Sequence, residues 1–506
     1  MDILKQIRKH ARECGDRIAV RAGDSAVTYQ QLDDYSDRLA AWILKNYQDE
    51  EKTPIVVYGH KSALMIISFL ACVKAGRAYC PVDISVPLSR VQGILEVVNP
   101  PVVLAAEELE IPYSHVLGAA ELQRIMEEDC ERIPEVCGVN GQDLFYIIFT
   151  SGSTGTPKGV EITTDCLNNF LDWSVNLGTE MKKKEGRAFL NQAPFSFDLS
   201  VMDLYTCLAC GGTLCTMDKS VQMDFAKLMG FFETSGINIW VSTPSFADLC
   251  LTDLHFSSKL LPDLEVFLFC GETLTNNTAR KLQQRFPDAV IINTYGPTES
   301  TVAMTEVLVT PELAEQQNPL PVGSVKPDSL VEIRREDGSE ANNGEHGEIV
   351  ILGNTVSTGY YHQRKLTRKA FFECEKDGIS YRGYHTGDLG YMDSGMLYYC
   401  GRMDLQIKLH GYRIEIEDIE KNILKLQGVD NAVVIPVMED GKVRSLTAVI
   451  SGRGEQGTFE AAREIKTKLK EFLPEYMVPK KIVFVDRIPM TINGKADRKA
   501  VGGLLK

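Results

Sequence analysis

The sequence lacks the features of a membrane-embedded or exported protein. Its longest apolar stretch, residues 63–73, is interrupted by Ser68 and is too short to span a bilayer. The first residues do not have the basic and then apolar layout of a signal peptide. We therefore expect a cytoplasmic protein without membrane insertion.

The chain has fewer basic than acidic residues, and its cysteines are not regularly spaced. Lys and Arg number 54 against 69 Asp and Glu, and the net charge of −15 disfavours general binding to nucleic acid. Thirteen cysteines are an odd number without regular spacing, so no disulfide framework is predicted. Cys207 and Cys210 form one Cys-x-x-Cys pair, but packing is favoured over a zinc or redox role because no second pair accompanies it.

Length and periodicity indicate a multidomain α/β protein. A chain of 506 residues exceeds one core, so we expect at least two separately packed domains. Helix-like and strand-like segments alternate through the first 400 residues, as in residues 29–42, 55–58 and 63–73. This alternation predicts α/β layering, with ligands at the carboxyl ends of the strands.

The pattern changes towards the C-terminus. Shorter strands with Gly turns predict a β-rich subdomain at about residues 323–398. After Asp404, predicted helices at 417–426 and 459–472 and strands around the turn at 440–441 indicate a separate α+β domain. We therefore predict an N-terminal domain of residues 1–403 and a C-terminal domain of residues 404–506.

A loop at residues 150–159 has the composition of a phosphate-binding segment. It reads Thr-Ser-Gly-Ser-Thr-Gly-Thr-Pro-Lys-Gly and directly follows an apolar run. Its glycines allow backbone N–H groups to approach an anion, and its hydroxyls and lysine add donors and charge. The ending differs from the Gly-Lys-Ser/Thr of P-loop NTPases, and a solvated connector is the alternative. The predicted phosphate ligands are Thr150, Ser151, Gly152, Ser153, Thr154, Gly155 and Lys158.

Later segments add groups suited to the rest of a nucleotide. In residues 293–299, Tyr295 offers a face for a nucleobase and Glu299 offers an oxygen ligand for Mg²⁺. Asp388, in Thr-Gly-Asp, has acceptors for ribose hydroxyls, and Arg402 supplies a cation. Each segment taken singly is typical of a turn, and the order of the segments favours a function.

The order of these segments along the chain resembles that of the adenylate-forming superfamily, which includes acyl-CoA synthetases, luciferases and amino-acid adenylation domains. The matching segments cover nearly the whole chain, at 150–159, 293–299, 386–388, 401–404, 408–415 and 493–495. The resemblance implies a large N-terminal domain of stacked α/β sheets with a β-rich subdomain, followed by a small mobile C-terminal domain that turns about Asp404.

The same resemblance implies a set of ligands and roles. ATP would be the co-substrate, Mg²⁺ would bind Glu299, and the catalytic residue would be Lys495, in contact with both nucleotide and substrate. The implied nucleotide-binding residues beyond the phosphate loop are Asn293, Thr294, Tyr295, Gly296, Pro297, Thr298, Asp388, Tyr399, Cys400, Gly401, Arg402 and Lys495.

Within the superfamily, residues 189–204, 242–246 and 269–272 are similar to the D-alanine–carrier-protein ligases of Gram-positive teichoic-acid D-alanylation. This resemblance implies that Asp198 pairs with the ammonium group of D-alanine, that Cys270 and Val302 line a small side-chain pocket, and that a phosphopantetheinylated carrier protein is the partner. The chain departs from the common pattern with His385 before Thr-Gly-Asp and with Phe149 before the phosphate loop. Neither departure removes an assigned ligand.

Other interpretations remain open from the residues alone. The chain could be a stand-alone adenylation enzyme for another small amino acid, or a nucleotide-binding regulator without catalysis. Lys495 could be an exposed turn lysine, and Asp198 could cap the helix that follows it. Cys270 and Val302 could simply be core residues.

Overall fold

Two compact units make up the chain. The computed structural model describes residues 1–128, 137–150, 157–177, 186–439, 442–452, 459–490 and 496–505. The first unit comprises Met1–Ile84, Val97–Phe149 and Gly159–Met403, and the second comprises Ser85–Glu96, Thr150–Lys158 and Asp404–Lys506. Of the helices in these ranges, none is both long enough and apolar enough to cross a membrane.

Helices and strands alternate through most of the described chain, which confirms the predicted α/β class. The helices are α1 (Ile3–Glu13), α2 (Tyr29–Asn46), α3 (Ala63–Lys74), α4 (Leu88–Val98), α5 (Ala119–Glu127), α6 (Thr164–Ser174), α7 (Leu199–Ala209), α8 (Lys219–Met223), α9 (Phe225–Ser235), α10 (Pro244–Cys250), α11 (Asn276–Arg285), α12 (Pro311–Gln316), α13 (Arg364–Ala370), α14 (Ile416–Leu424), α15 (Phe459–Leu469) and α16 (Arg498–Gly503).

Most of the strands are short, as is usual in globular proteins. They are β1 (Ile18–Ala22), β2 (Ser25–Thr28), β3 (Ile55–Gly59), β4 (Tyr79–Asp83), β5 (Val103–Ala105), β6 (Val116–Gly118), β7 (Leu144–Thr150), β8 (Lys158–Thr163), β9 (Ala188–Asn191), β10 (Thr213–Thr216), β11 (Ile239–Ser242), β12 (Val266–Phe269), β13 (Val290–Tyr295), β14 (Thr305–Leu308), β15 (Ser324–Val325), β16 (Ser329–Arg334), β17 (Gly347–Gly353), β18 (Gly359–Tyr360), β19 (Phe371–Lys376), β20 (Ile379–Asp393), β21 (Met396–Arg402), β22 (Gln406–Leu409), β23 (Tyr412–Glu415), β24 (Asn431–Glu439), β25 (Lys442–Ser451) and β26 (Lys481–Phe484).

Two large sheets and one antiparallel sheet build the first unit. One large sheet has the strand order β15-β14-β13-β12-β11-β9-β10-β1-β2, and the other has the order β18-β8-β7-β4-β3-β5-β6. The antiparallel sheet has the order β16-β17-β20-β19, with β21 also paired to β20. This last sheet occupies the stretch in which the sequence predicts a β-rich subdomain.

Local sequence signals account for several of the helices. Thr28 caps α2, and its side chain and that of Gln31 form a reciprocal capping box. Ser62 caps α3, and all but one of the residues of α3 are buried, because the helix is apolar on every side. The predicted helices at residues 29–42 and 63–73 are confirmed with slightly later ends.

The second unit contains its own small sheets. β22 pairs with β23, and the three strands β24, β25 and β26 form a second sheet. Apolar residues of α14, α15 and these strands make one hydrophobic cluster, which includes Ile419, Ile450 and Ile465. The last division of the chain falls between Met403 and Asp404.

Parallel pairing places the site-bearing strand ends together. β12 and β13 are parallel neighbours, with Phe269 paired to Asn293. Cys270 therefore follows β12 beside the end of β13, which carries Thr294 and Tyr295. This edge is where ligands bind in open α/β sheets.

Candidate active site

Buried hydrogen bonds fix the end of β13. Asn293 Nδ2 donates to the Pro321 carbonyl at 3.0 Å, and Thr294 Oγ1 donates to the Phe269 carbonyl at 2.9 Å. These two predicted nucleotide residues therefore hold the strand end in place. Gly296 follows at a close approach, since a Cβ there would lie 2.6 Å from the Ala303 Cα atom.

Glu299 is a fully buried carboxylate in a short 3₁₀-helix, Thr298–Ser300, which follows Pro297. Its Oε1 atom accepts a hydrogen bond of 2.8 Å from the hydroxyl of Tyr360, and its backbone carbonyl accepts another of 2.8 Å from Ser357 N. Tyr361 N donates to the Gly159 carbonyl at 2.8 Å, which ties this segment to strand β8. The predicted metal ligand thus has a defined side-chain orientation.

Asp388 lies at the centre of a polar cluster in the first unit. Its Oδ2 atom accepts a hydrogen bond of 2.5 Å from the Tyr295 hydroxyl, and its Oδ1 atom accepts one of 2.9 Å from Arg402 Nη1. Asp388 is 2% exposed, and the Arg402 side chain is 11% exposed. Burial, together with the charge of Asp388, raises the pKa of Tyr295 well above its usual value, so the tyrosine stays a donor.

The strands that carry this cluster are held by their neighbours. Asp388 and Arg402 are directly paired residues of β20 and β21. Arg402 Nη1 also donates to the Thr386 carbonyl at 2.7 Å, and Gly387 N donates to Glu348 Oε1 at 2.9 Å. Burial alone would raise the pKa of Glu348, but hydrogen bonds from His385 and Gly387 N outweigh it and lower the pKa. His385 therefore supports the cluster through Glu348.

The other predicted residues of this stretch lie beside the cluster. The ring centroid of Tyr399 is 5.8 Å from that of Tyr295. Cys400 is exposed and carries a free thiol. Gly401 has φ of 115°, a conformation that favours glycine.

Cys270 and Val302, which are predicted to line a side-chain pocket, contact each other. Cys270 Sγ lies 3.6 Å from the Val302 carbonyl oxygen, and both residues are buried. Thr301 and Val302 have φ of 59° and 70°, in the left-handed region that β-branched residues rarely enter. Two consecutive strained residues directly after Glu299 indicate a turn whose shape is set by the surrounding packing.

Asp198 occupies the N-cap position of α7, but its side chain makes no capping hydrogen bond. The interpretation of Asp198 as a helix-capping side chain is therefore wrong. Asp198 is partly buried.

Several predicted residues fall outside the described part of the chain. These are Ser151, Gly152, Ser153, Thr154, Gly155 and Lys495, together with the turn at 440–441. Thr150 ends β7 and Lys158 begins β8, so the two ends of the loop are described. Asp404 Oδ1 accepts 3.0 Å from Gln406 N within the second unit. The roles of all these residues stay predictions.

Sequence reasoning missed two kinds of residue. Tyr360 and Glu348 contact predicted site residues, although neither stands within one of the matching motifs. Lys61 is buried and contacts the segment that leads to Asp198, from 130 residues earlier in the chain. Nothing in their local sequence marks them, because the contacts arise only when distant segments pack together.

No group of three or more His, Cys, Asp or Glu residues that could hold a metal ion occurs in the described ranges. Cys207 is buried and Cys210 is partly buried, and neither is in a disulfide bond. Burial raises the pKa of Cys207 well above its usual value, which disfavours a reactive thiolate.

Comparison with known proteins assigns the family. Residues 7–361 match the family model of the AMP-binding enzymes, and residues 418–495 match that of the AMP-binding enzyme C-terminal domain. The D-alanine–D-alanyl carrier protein ligase of Bacillus cytotoxicus is 46% identical over 504 residues, which cover 99% of this chain and 98% of that protein. The chain belongs to the D-alanine–D-alanyl carrier protein ligase family. The ligase of the same name from Bacillus cereus is 47% identical over the same shares of both chains.

Solved structures share the fold of this chain. An NRPS protein containing adenylation and PCP domains, bound to a vinylsulfonamide inhibitor, is 25% identical with a TM-score of 0.83, covering 99% of this ligase and 84% of that chain. The Vibrio cholerae adenylation domain AlmE, in complex with glycyl-adenosine-5'-phosphate, is 21% identical with a TM-score of 0.82, covering 100% and 97%. The predicted adenylate-forming fold is confirmed, and the enzyme class is ligase.

Proposed function

We propose that this ligase joins D-alanine to AMP, with release of pyrophosphate from ATP, and then transfers the D-alanyl group to the phosphopantetheine thiol of a D-alanyl carrier protein. The observation that carries the proposal is the full-length identity of 46% and 47% to curated ligases of that name. We infer that the reaction takes place in the cytoplasm, where ATP is available.

The Asp388 cluster supports a ribose site. A carboxylate has about four lone-pair positions, and two of them accept from Tyr295 and Arg402. The remaining positions suit the two hydroxyls of a ribose. In the proposal, Tyr295 and Tyr399 flank the adenine base, and the ends of residues 150–158 approach the phosphates.

Glu299 fits a magnesium ion that is shared with ATP. Mg²⁺ prefers oxygen ligands and is commonly bound through one or two carboxylates together with substrate phosphates. A single buried carboxylate, held by Tyr360 without a larger ligand group in the described ranges, has this character. When bound, Mg²⁺ supplies positive charge that favours the departure of pyrophosphate.

The amino-acid end of the site is assigned to the first unit. Asp198 pairs with the ammonium group in this proposal, and Cys270 and Val302 limit the space for the side chain. The observed approach of the Cys270 thiol to the Val302 carbonyl, at 3.6 Å, supports a pocket sized for a small substituent. A methyl group fits such a wall better than a long or aromatic side chain.

Two displacement steps follow. A carboxylate oxygen of D-alanine attacks the α-phosphorus, and the bond from that phosphorus to the pyrophosphate oxygen breaks. Lys495 bridges the two anionic reactants, because one ammonium group can donate to a carboxylate and a phosphate oxygen together. The carrier thiol, on losing its proton, then attacks the carbonyl carbon of D-alanyl-AMP, and AMP leaves. The nucleophile of the second step therefore belongs to the partner.

Because Lys495 would obstruct the thiol arm, we propose that the C-terminal segment turns about Asp404 between the steps and brings residues 408–413 to the reacting groups. Asp404→Pro should impair thioester formation more than adenylate formation, since proline fixes φ. Asp404→Ala is the matched control, because it removes the bond to Gln406 N and leaves the backbone mobile. Equal loss of both half-reactions in Asp404→Pro would contradict the proposed turn.

Pyrophosphate exchange tests the proposal directly. We expect exchange with D-alanine well above that with L-alanine, glycine or D-serine, and thioester formation on the holo carrier protein. Lys495→Ala should lower exchange by about a hundredfold to a thousandfold, the usual effect of losing a fixed electrostatic donor. Lys499→Ala, at an exposed lysine of α16, should leave it unchanged.

Each adverse result has a separate meaning. Preference for another small amino acid would retain the reaction class and reject D-alanine as the substrate. Absence of exchange with every amino acid would indicate a nucleotide-binding regulator instead.

A further inference from the structure

A buried lysine holds the start of the segment that leads to Asp198. Lys61 is 4% exposed, and its Nζ donates to the Asn191 carbonyl at 3.1 Å and to the Gln192 carbonyl. Asn191 is the last residue of β9, and Gln192 follows it in the segment, residues 191–198, that leads from this strand to α7. Asp198, the proposed ligand of the substrate ammonium, lies at the far end of this segment.

A second contact ties the segment to the helix that it enters. Asn191 Nδ2 donates to Asp203 Oδ1 at 2.8 Å and to the Ala193 carbonyl at 3.3 Å. Asn191 and Asp203 are both 0% exposed, and Asp203 lies within α7. The hydrogen bond between them therefore fixes the orientation of α7 relative to the end of β9. The position of Asp198, the N-cap residue of α7, depends on this orientation.

The two carbonyls do not need Lys61 in order to be satisfied. The Asn191 carbonyl also accepts from Met217 N at 3.3 Å, and the Gln192 carbonyl also accepts from Gln222 Nε2 at 3.1 Å. Burying an ammonium group carries a large desolvation cost. The Lys61 ammonium group carries this cost, although the two carbonyls already have other donors. We therefore infer that Lys61 has a role other than stability.

We propose that Lys61 is a positioning residue for amino-acid activation, which acts with Asn191 and Asp203 to hold residues 191–198 so that Asp198 meets the substrate ammonium. The inference rests on the proposed function, and it adds a determinant of amino-acid affinity that does not touch the substrate.

The charge state of Lys61 gives the proposal a second readout. Burial lowers the pKa of Lys61 to about 7, and the nearby carboxylates of Asp203, Asp83 and Asp218 oppose the shift. His60 is the neighbouring titratable group, and its Nδ1 lies 2.6 Å from Asp83 Oδ2. Burial also raises the pKa of Asp203 well above its usual value. Burial therefore shifts the pKa of each group in the direction that disfavours its charged form. Asp203 Oδ2 has no hydrogen-bond partner within the part of the chain that the structure describes.

The sign of the pH effect follows from the donor strength. A protonated Lys61 makes charge-assisted hydrogen bonds to the two carbonyls, and a neutral amine makes weaker ones. The hold on residues 191–198 should therefore weaken as the pH rises through about 7, the pKa of Lys61. We expect the KM for the amino acid to rise over the same interval.

The experiment compares Lys61→Met with Lys61→Arg in the full-length enzyme. Lys61→Met should raise the KM for the amino acid by about tenfold and change the KM for ATP less than twofold. Its Tm should be unchanged or higher, because a buried charge is removed. Lys61→Arg should lie between wild type and Lys61→Met, and its KM for the amino acid should no longer change with pH near 7. Lys219→Met, at an exposed lysine of α8, is the control and should match wild type.

The possible failures are distinguishable. If wild type exchanges pyrophosphate and Lys61→Met keeps the wild-type KM for the amino acid, the positioning role of Lys61 is wrong and the proposed function stands. Equal rises in both KM values with a lowered Tm would assign Lys61 to general stability and would also overturn the role. If wild type exchanges with no amino acid, both proposals are wrong.

Discussion

Replacing Asp388 with asparagine tests the nucleotide site most directly. The carboxylate accepts a hydrogen bond of 2.5 Å from the buried Tyr295 hydroxyl and one of 2.9 Å from Arg402, which is partly buried. Asparagine has nearly the same shape but only one acceptor oxygen, and its NH₂ group is a donor. The amide must keep its oxygen towards Arg402, because the guanidinium group cannot accept a hydrogen bond. The NH₂ group then faces Tyr295, whose hydroxyl reverses to become an acceptor.

This rearrangement removes at least one acceptor for the ribose. A hydrogen bond to a charged group contributes about 1.5–3 kcal/mol. We therefore expect Asp388→Asn to raise the KM for ATP by roughly tenfold to a hundredfold, since about 1.4 kcal/mol corresponds to a factor of ten. The KM for D-alanine should change little, because Asp388 is not assigned to the amino acid.

The assay is pyrophosphate exchange with ATP varied at saturating D-alanine. Asp393→Asn is the matched control, because Asp393 ends the same strand and is exposed. Thermal unfolding of each variant separates a local effect from a loss of folded protein. A change in the KM for ATP of less than threefold, in an Asp388→Asn protein of wild-type Tm, would refute the assignment of the ribose to Asp388.

Three further predictions concern other parts of the first unit. Lys74→Met removes the cation that lies 2.6 Å from Asp33 and 2.7 Å from Asp37, both of which are buried. The free energy of unfolding, measured in urea, should fall by about 3–5 kcal/mol. A loss below about 1 kcal/mol, which is typical of an exposed ion pair, would contradict this prediction. Tyr360→Phe removes one hydrogen bond to Glu299 and should weaken Mn²⁺ binding by about tenfold. The binding is measured by electron paramagnetic resonance in the presence of a non-hydrolysable ATP analogue. Unchanged binding would show that Tyr360 does not orient Glu299 for the metal ion. Cys270→Leu should raise the KM for D-alanine more than that for glycine, because the added volume fills the space of the methyl group, and equal changes would place Cys270 outside the pocket.

The prediction of the fold from sequence succeeded where the signal is local. The helix α2 follows from apolar spacing and from the Thr28 and Gln31 capping pair, and α3 follows from a continuous apolar run after Ser62. The ends of both helices were predicted too early, because residues in the last turn gain tertiary contacts that the periodicity does not show.

The roles of the site residues stay predictions, and the structure adds how some of these residues are arranged. The order of the motifs selected Tyr295, Asp388 and Arg402, and the structure brings these three together in one hydrogen-bonded cluster. The same reasoning left a capping role open for Asp198, and the structure shows no such bond. A cap depends on the direction of one side chain, which residue type alone does not determine.

The order of residues along the chain was enough to predict hydroxyls, an aromatic face, a carboxylate and a cation suited to a nucleotide. Which other residues hold these groups in place became known from the folded chain. Tyr360 reaches Glu299 across 61 positions, and Lys61 reaches Asn191 across 130 positions. The left-handed turn at Val302 is likewise imposed on a residue that avoids that conformation. In each case the physical reason is the same, since packing of distant segments sets geometry that local propensity does not encode.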